Sequence, residues 1–231
     1  MTSANRHDRS ALGWALRLSH LDLLVTMVLL QLSQSFLSSE SGIQRGLFNL
    51  LFLVVVISAI RTLSSSKIRM ISALTIGGIG FLLASYADFH HSVLLIAATD
   101  SCYVVVFLLL ILSLAESVFR KGPADLNRIV GAACIYFVIG LFFAFVFSLL
   151  ETFQPGAFAL SPFSDSVGIH QDTVSNLIYF SNVTLTSLGY GDIIPITRPA
   201  RTLATLEAMV GQLYLAIVVA KLVGLHIAEQ K

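Results

Sequence analysis

Residues 129–150 run without a single charged side chain. Wound as an α-helix at about 1.5 Å per residue, such a stretch matches the roughly 30 Å hydrocarbon thickness of a bilayer. A soluble domain could hide one such segment in its core. It could not hide five more, and 19–36, 46–60, 70–86, 92–115 and 200–227 are also dominated by apolar residues. With 56% hydrophobic and 12% charged residues in 231, one soluble core cannot cover the apolar surface. The chain therefore reads as an all-α integral membrane protein with six spans, and its first partner is the lipid bilayer. A net charge of +1 leaves no electrostatic footprint for nucleic acid.

Between the fifth and sixth blocks lies Thr184-Leu185-Thr186-Ser187-Leu188-Gly189-Tyr190-Gly191-Asp192, followed by Ile193-Ile194-Pro195. This composition fits neither a span nor an ordinary loop. Gly-Tyr-Gly alternates residues free to take positive φ with one that is not, so successive carbonyls can be aimed to one side of the strand. Four such strands around an axis would stack rings of carbonyl oxygens, which replace the hydration shell of K⁺. The stretch resembles the selectivity filter of the potassium-channel family, whose usual form is Thr-Val-Gly-Tyr-Gly-Asp. Ser187 stands for the Thr and Leu188 for the Val, while Gly189, Tyr190, Gly191 and Asp192 match. Upstream, 174–186 reads as a short amphipathic helix with Asp172 or Thr173 as N-cap. Pro195, Arg201 and Gly211 downstream also sit at the family's spacings from Asp192.

The resemblance implies a re-entrant pore helix and filter between helices five and six, and a homotetramer, since each chain supplies one filter strand. The implied K⁺ ligands are the carbonyls of Ser187, Leu188, Gly189 and Tyr190, with the Ser187 hydroxyl at the inner end. Leu188 and Tyr190 would turn their side chains away from the axis, against their own pore helix. Gly191, Asp192 and Tyr179 would support the filter from behind. Tyr179 and Phe180 occupy places where two Trp are common, and Val183 one where some members carry Glu. In the last helix Gly211 is the implied hinge, with close helix packing as the equal rival. Gln212, Leu215 and Val219 return to one face and would line the inner cavity. Glu207 and Asp100 are ionisable residues inside spans. Glu207 reads as bonding to the back of a pore helix rather than binding ions, and Asp100 as a packing or hydrogen-bonded residue.

The domain reading is a cytoplasmic segment at 1–18, a four-helix transmembrane unit at 19–115, a cytoplasmic linker at 116–128 and a pore domain at 129–231. The first span is the weakest, with Asp22, Gln31, Ser33 and Gln34 inside it. A cleaved signal peptide is the rival there, but no Ala-x-Ala site follows, so a retained helix is preferred. Gly77, Gly78 and Gly80 would allow close helix contact in the third span. Of fourteen Lys and Arg, only Arg45, Arg198 and Arg201 fall on outer segments if both termini are cytoplasmic. The fourth span has no basic residue, so it cannot act as an arginine-based voltage sensor.

Cys102 and Cys134 lie inside apolar blocks without metal-ligand spacing and read as small core hydrophobes. No nucleophile–base pair or metal cluster suggests an enzyme, and no cofactor is implied beyond K⁺ as permeant ion. The expected function is passive, K⁺-selective conduction in a prokaryotic plasma membrane. The alternatives are a weakly selective cation channel and a non-conducting regulatory or assembly subunit.

Overall fold

A computed structural model describes residues 20–33, 50, 53–58, 67–90, 92–119, 126–159 and 170–229. Nearly all of them are helical. The helices are α1 (His20–Ser33), α2 (Lys67–His90), α3 (Val93–Phe119), α4 (Leu126–Phe153), α5 (His170–Leu185) and α6 (Arg198–Glu229), with a further helical stretch at 53–58. Two short strands, β1 (Phe158–Ala159) and β2 (Ile194–Pro195), pair antiparallel with Phe158 opposite Pro195.

Among the described residues three helical segments are long and apolar enough to cross a membrane: Val93–Phe119, Asn127–Phe153 and Arg198–Lys221. The apolar parts of α1 and α2 are shorter, at His20–Ser33 and Ile71–Ala87. Most of the expected second span, the 1–18 segment and residues 120–125 of the expected linker lie outside the described residues. Helical structure trims that linker from both sides, because α3 continues to Phe119 and α4 starts at Leu126.

The main core forms where α3 meets α4. Tyr103, Phe107, Leu110 and Leu114 recur at helical spacing on one face of α3 and are buried with Cys134, Ile135, Val138 and Phe145 of α4. The Tyr103 and Phe145 rings lie 5.0 Å apart. Leu23, Met27 and Leu30 of α1 join the same core. Asp100 and Ser101 leave α3 uninterrupted. Thr99 and Ser101 return their hydroxyl protons to the carbonyls of Leu95 and Ala97, four residues back. The buried Asp100 carboxylate accepts a 2.7 Å bond from Ser148, tying α3 to α4. On α2, a Cβ at Gly80 would stand 3.1 Å from that of Cys102, so α2 and α3 pack closely there.

A second core holds the other end of α4. Phe147, Phe158 and Phe180 form a closed aromatic trio, each pair 5.3 Å apart and steeply inclined. The preferred edge-to-face arrangement thus joins α4, β1 and α5 in one contact. The stretch just after α4 is held by bonds to a side chain of that helix. Glu151 accepts bonds from the amides of Gly156 and Phe158, at 2.7 and 3.0 Å. Gly156 takes φ +83°, which its missing Cβ permits. α5 also starts earlier than expected. It begins at His170, so Asp172 and Thr173 lie inside the helix instead of capping it.

Candidate functional site

The end of α5 sets the geometry of everything that follows. A helix leaves its last four carbonyls without intrahelical donors, and here each finds one. Asn182 O accepts from Thr186 N at 3.1 Å, Thr184 O from Ser187 N at 2.9 Å, and Val183 O from Leu188 N at 2.9 Å. The fourth, Leu185 O, accepts from Tyr136 Oη of α4 at 3.0 Å. The bonds from Leu188 to Val183 and from Ser187 to Thr184 make a Schellman cap with Ser187 in the left-handed position, φ +57°. Glycine normally takes that place. Nothing in the sequence marked Ser187 for it.

Beyond the cap, the sign of φ alternates. Ser187, Gly189 and Gly191 have φ +57°, +59° and +79°, while Leu188 and Tyr190 between them stay negative. Alternating hands turn successive peptide planes the same way, whereas a regular strand turns them oppositely. The stretch 187–192 is exposed throughout in the single chain. Leu188 and Tyr190 are 55% and 67% exposed, so α5 does not cover them in the single chain. Its apolar positions, Val174, Leu177, Ile178 and Phe180, are already buried in the two cores.

Behind the stretch, Tyr179 Oη donates to Asp192 Oδ2 at 2.7 Å, and Ile193 N donates to Asp192 Oδ1 at 3.1 Å. The Tyr179 bond holds the Asp192 carboxyl below the usual carboxylate range, and the same bond pushes the Tyr179 phenol up to about 12. The β1–β2 pair fastens the chain just after Asp192 to the ordered stretch after α4.

Below the stretch, α6 makes two contacts in succession. A Cβ on Gly211 would overlap the carbonyl oxygen of Leu185, so the backbones of α5 and α6 touch here. Next, Gln212 Nε2 donates to Ser187 Oγ at 2.8 Å. Tyr214 fixes this part of α6 by donating to Ala132 O at 2.7 Å and stacking on Tyr136, with ring centres 5.9 Å apart. Leu215 and Val219 are exposed, as are Leu213 and Ile217 on other sides of α6. Exposure in the single chain therefore does not single out the 212/215/219 face.

Glu207 is fully buried and hydrogen-bonded to Ser181 of α5, whose hydroxyl also lies 2.7 Å from Gly140 O of α4. Its other oxygen, Oε2, is buried without a hydrogen-bond partner. Ser181, Tyr136, Tyr214 and Glu151 all hold this region together, and sequence reasoning singled out none of them. Asp100 is buried on α3 and bonded to Ser148 of α4. Among the described residues no group of three or more His, Cys, Asp or Glu could hold a metal ion.

The model of one protein family, described as Ion channel, matches residues 134–226. That segment is similar to an ion-channel domain. It takes in α4 from Cys134, the β1–β2 pair, α5, the 187–192 stretch and α6 as far as His226. The chain also resembles two curated proteins. Protein LctB of Bacillus caldotenax is 34% identical over 91 residues, covering 38% of this chain and 64% of that protein. Protein LctB of Geobacillus stearothermophilus is 32% identical over 81 residues, covering 35% and 59%. The chain thus spans less than two thirds of the length of either relative. No solved structure matches.

Proposed function

We propose that this chain is a K⁺-selective channel, in which four copies each place one 187–192 stretch around a common axis. The observation that carries the reading is the alternation of φ at Ser187, Gly189 and Gly191 inside an ion-channel domain. A bare cation in hydrocarbon costs on the order of tens of kcal/mol, so a pore must replace its lost water. Carbonyls turned to one side by alternating φ provide such a surface, and the Ser187 hydroxyl adds a ligand at the inner end.

Non-helical backbone at membrane depth is tolerated only where protein buries it or where it lines a water-filled cavity. The segment between α5 and α6 meets that condition if the α5 helix re-enters the membrane and its end faces a central cavity. Six spans, a filter near the outer face and cytoplasmic termini complete the arrangement. The exposed Leu188 and Tyr190 are then covered by neighbouring copies. Its location in this reading is a prokaryotic plasma membrane, and both curated relatives are bacterial.

The purified protein in liposomes should take up Rb⁺ down a K⁺ gradient, with Na⁺ unable to substitute. Uptake of both ions at similar rates would support a weakly selective cation channel. A correctly assembled protein that passes neither would support a regulatory subunit.

A further inference from the structure

Position 187 carries Ser where the potassium-channel pattern carries Thr. Without the second branch on Cβ, the hydroxyl has more freedom about χ1. Gln212 restrains it, because its Nε2 donates to Ser187 Oγ at 2.8 Å. That contact depends on the residue before it. Gly211 has no Cβ to hold α6 away from Leu185 O, and this approach brings Gln212 within reach of a residue two places further along the chain. The platform beneath is fixed as well, since Tyr136 bonds to Leu185 O while stacking on Tyr214, which is anchored on Ala132 O.

A hydroxyl oxygen has two acceptor lone pairs. With one taken by the Gln212 amide, the hydroxyl no longer rotates freely, and its proton and second lone pair keep to the two remaining directions. We infer that Gln212 is a positioning residue for the innermost ion site: its amide turns the free lone pair of Ser187 toward a dehydrated monovalent cation, replacing the restraint of the missing methyl. The inference rests on the channel reading above and adds to it which residue shapes the inner site.

The test uses the full-length protein in planar bilayers, with Ba²⁺, a divalent cation close to K⁺ in size, applied from the inner side. Gln212→Leu keeps the side-chain bulk and removes the donor. It should weaken inner Ba²⁺ block about tenfold, the effect of losing a net hydrogen bond of about 1.4 kcal/mol. Ser187→Ala removes the hydroxyl that Gln212 orients and should itself weaken block, and in that background Gln212→Leu should cost nothing more. Unchanged block in Gln212→Leu, or a full further loss from Gln212→Leu in the Ser187→Ala background, overturns the inference and leaves the channel reading intact. If Gln212→Leu does not assemble, Gln212→Asn, whose amide falls one methylene short, must show the same loss. Absence of both K⁺ current and calorimetric Ba²⁺ binding in the unaltered protein overturns the channel reading, and this inference with it.

Discussion

Gly211 of α6 lies against the carbonyl oxygen of Leu185 at the end of α5, with no room for a methyl group between them. Gly211→Ala therefore separates the two roles the sequence left open for this residue. If Gly211 served only as a hinge, Ala would stabilise the helix by about 1 kcal/mol through propensity. Overlap with a backbone carbonyl instead forces α6 away from α5, at a typical overpacking cost of about 1–3 kcal/mol. The expected net change is destabilisation, seen as a lower midpoint in thermal unfolding of the detergent-solubilised protein. A raised midpoint would contradict the packing role.

The Tyr179–Asp192 bond supports the Asp192 end of the stretch. Asp192 is held below the usual carboxylate range and Tyr179 pushed up to about 12. A carboxyl whose folded value is depressed contributes fully above its ordinary value of about 3.9 and loses that contribution as pH falls through the lowered one. On the alkaline side the bond persists until the Tyr179 phenol ionises. Open-channel lifetime should therefore be flat from external pH about 5 to about 9, and Tyr179→Phe should shorten it at every pH in that window. A pronounced pH dependence in the unaltered protein, abolished by Tyr179→Phe, would contradict this account.

Glu207, Ser181 and Gly140 share one hydroxyl proton between two acceptors. Both contacts become hydrogen bonds when the carboxyl of Glu207 donates to Ser181 and Ser181 donates to Gly140 O, while Glu207 Oε2 stays without a partner. Glu207→Gln reproduces that pattern, with the amide as donor, and should stay within about 1 kcal/mol of the unaltered stability, as a shape-conserving change does. Glu207→Ala removes both the donor and the volume, and should cost about 2–5 kcal/mol, as truncation of a buried side chain of this size does. Thermal unfolding of the two variants side by side tests the contrast. Equal loss in both would mean that a charged carboxylate is needed.

The aromatic trio carries a further expectation. Phe158 lies outside the helices, yet it packs against both Phe147 and Phe180 and is nearly fully buried. Phe158→Ala should cost about 3–5 kcal/mol, the range for a core Phe. An exposed loop residue would cost under about 0.5 kcal/mol. Chemical or thermal unfolding distinguishes these.

What was legible in the sequence followed from local chemistry. Long apolar runs gave α3, α4 and α6, and Gly189 and Gly191 took the positive φ their missing side chains allow. Less visible was whatever depends on residues far apart in the chain. Phe147, Phe158 and Phe180 meet only because the β1–β2 pair and α5 bring them together, and a two-residue strand has no alternation to reveal it. Ser187 adopts φ +57° because two cap bonds to Thr184 and Val183 hold it there, not because Ser prefers it. The link from Gln212 to Ser187 needed the close approach at Gly211, which spacing alone does not reveal. The N-cap failed for a simpler reason: the helix propagates past Asp172 and Thr173 to His170.

The most direct test of the central claim is the reversal potential of the purified protein in a planar bilayer with K⁺ on one side and Na⁺ on the other. A K⁺-selective pore gives a reversal far from zero, toward the K⁺ equilibrium value. Gly189→Asp should abolish that current with assembly of the protein unchanged. A steady current reversing near zero would contradict K⁺ selectivity.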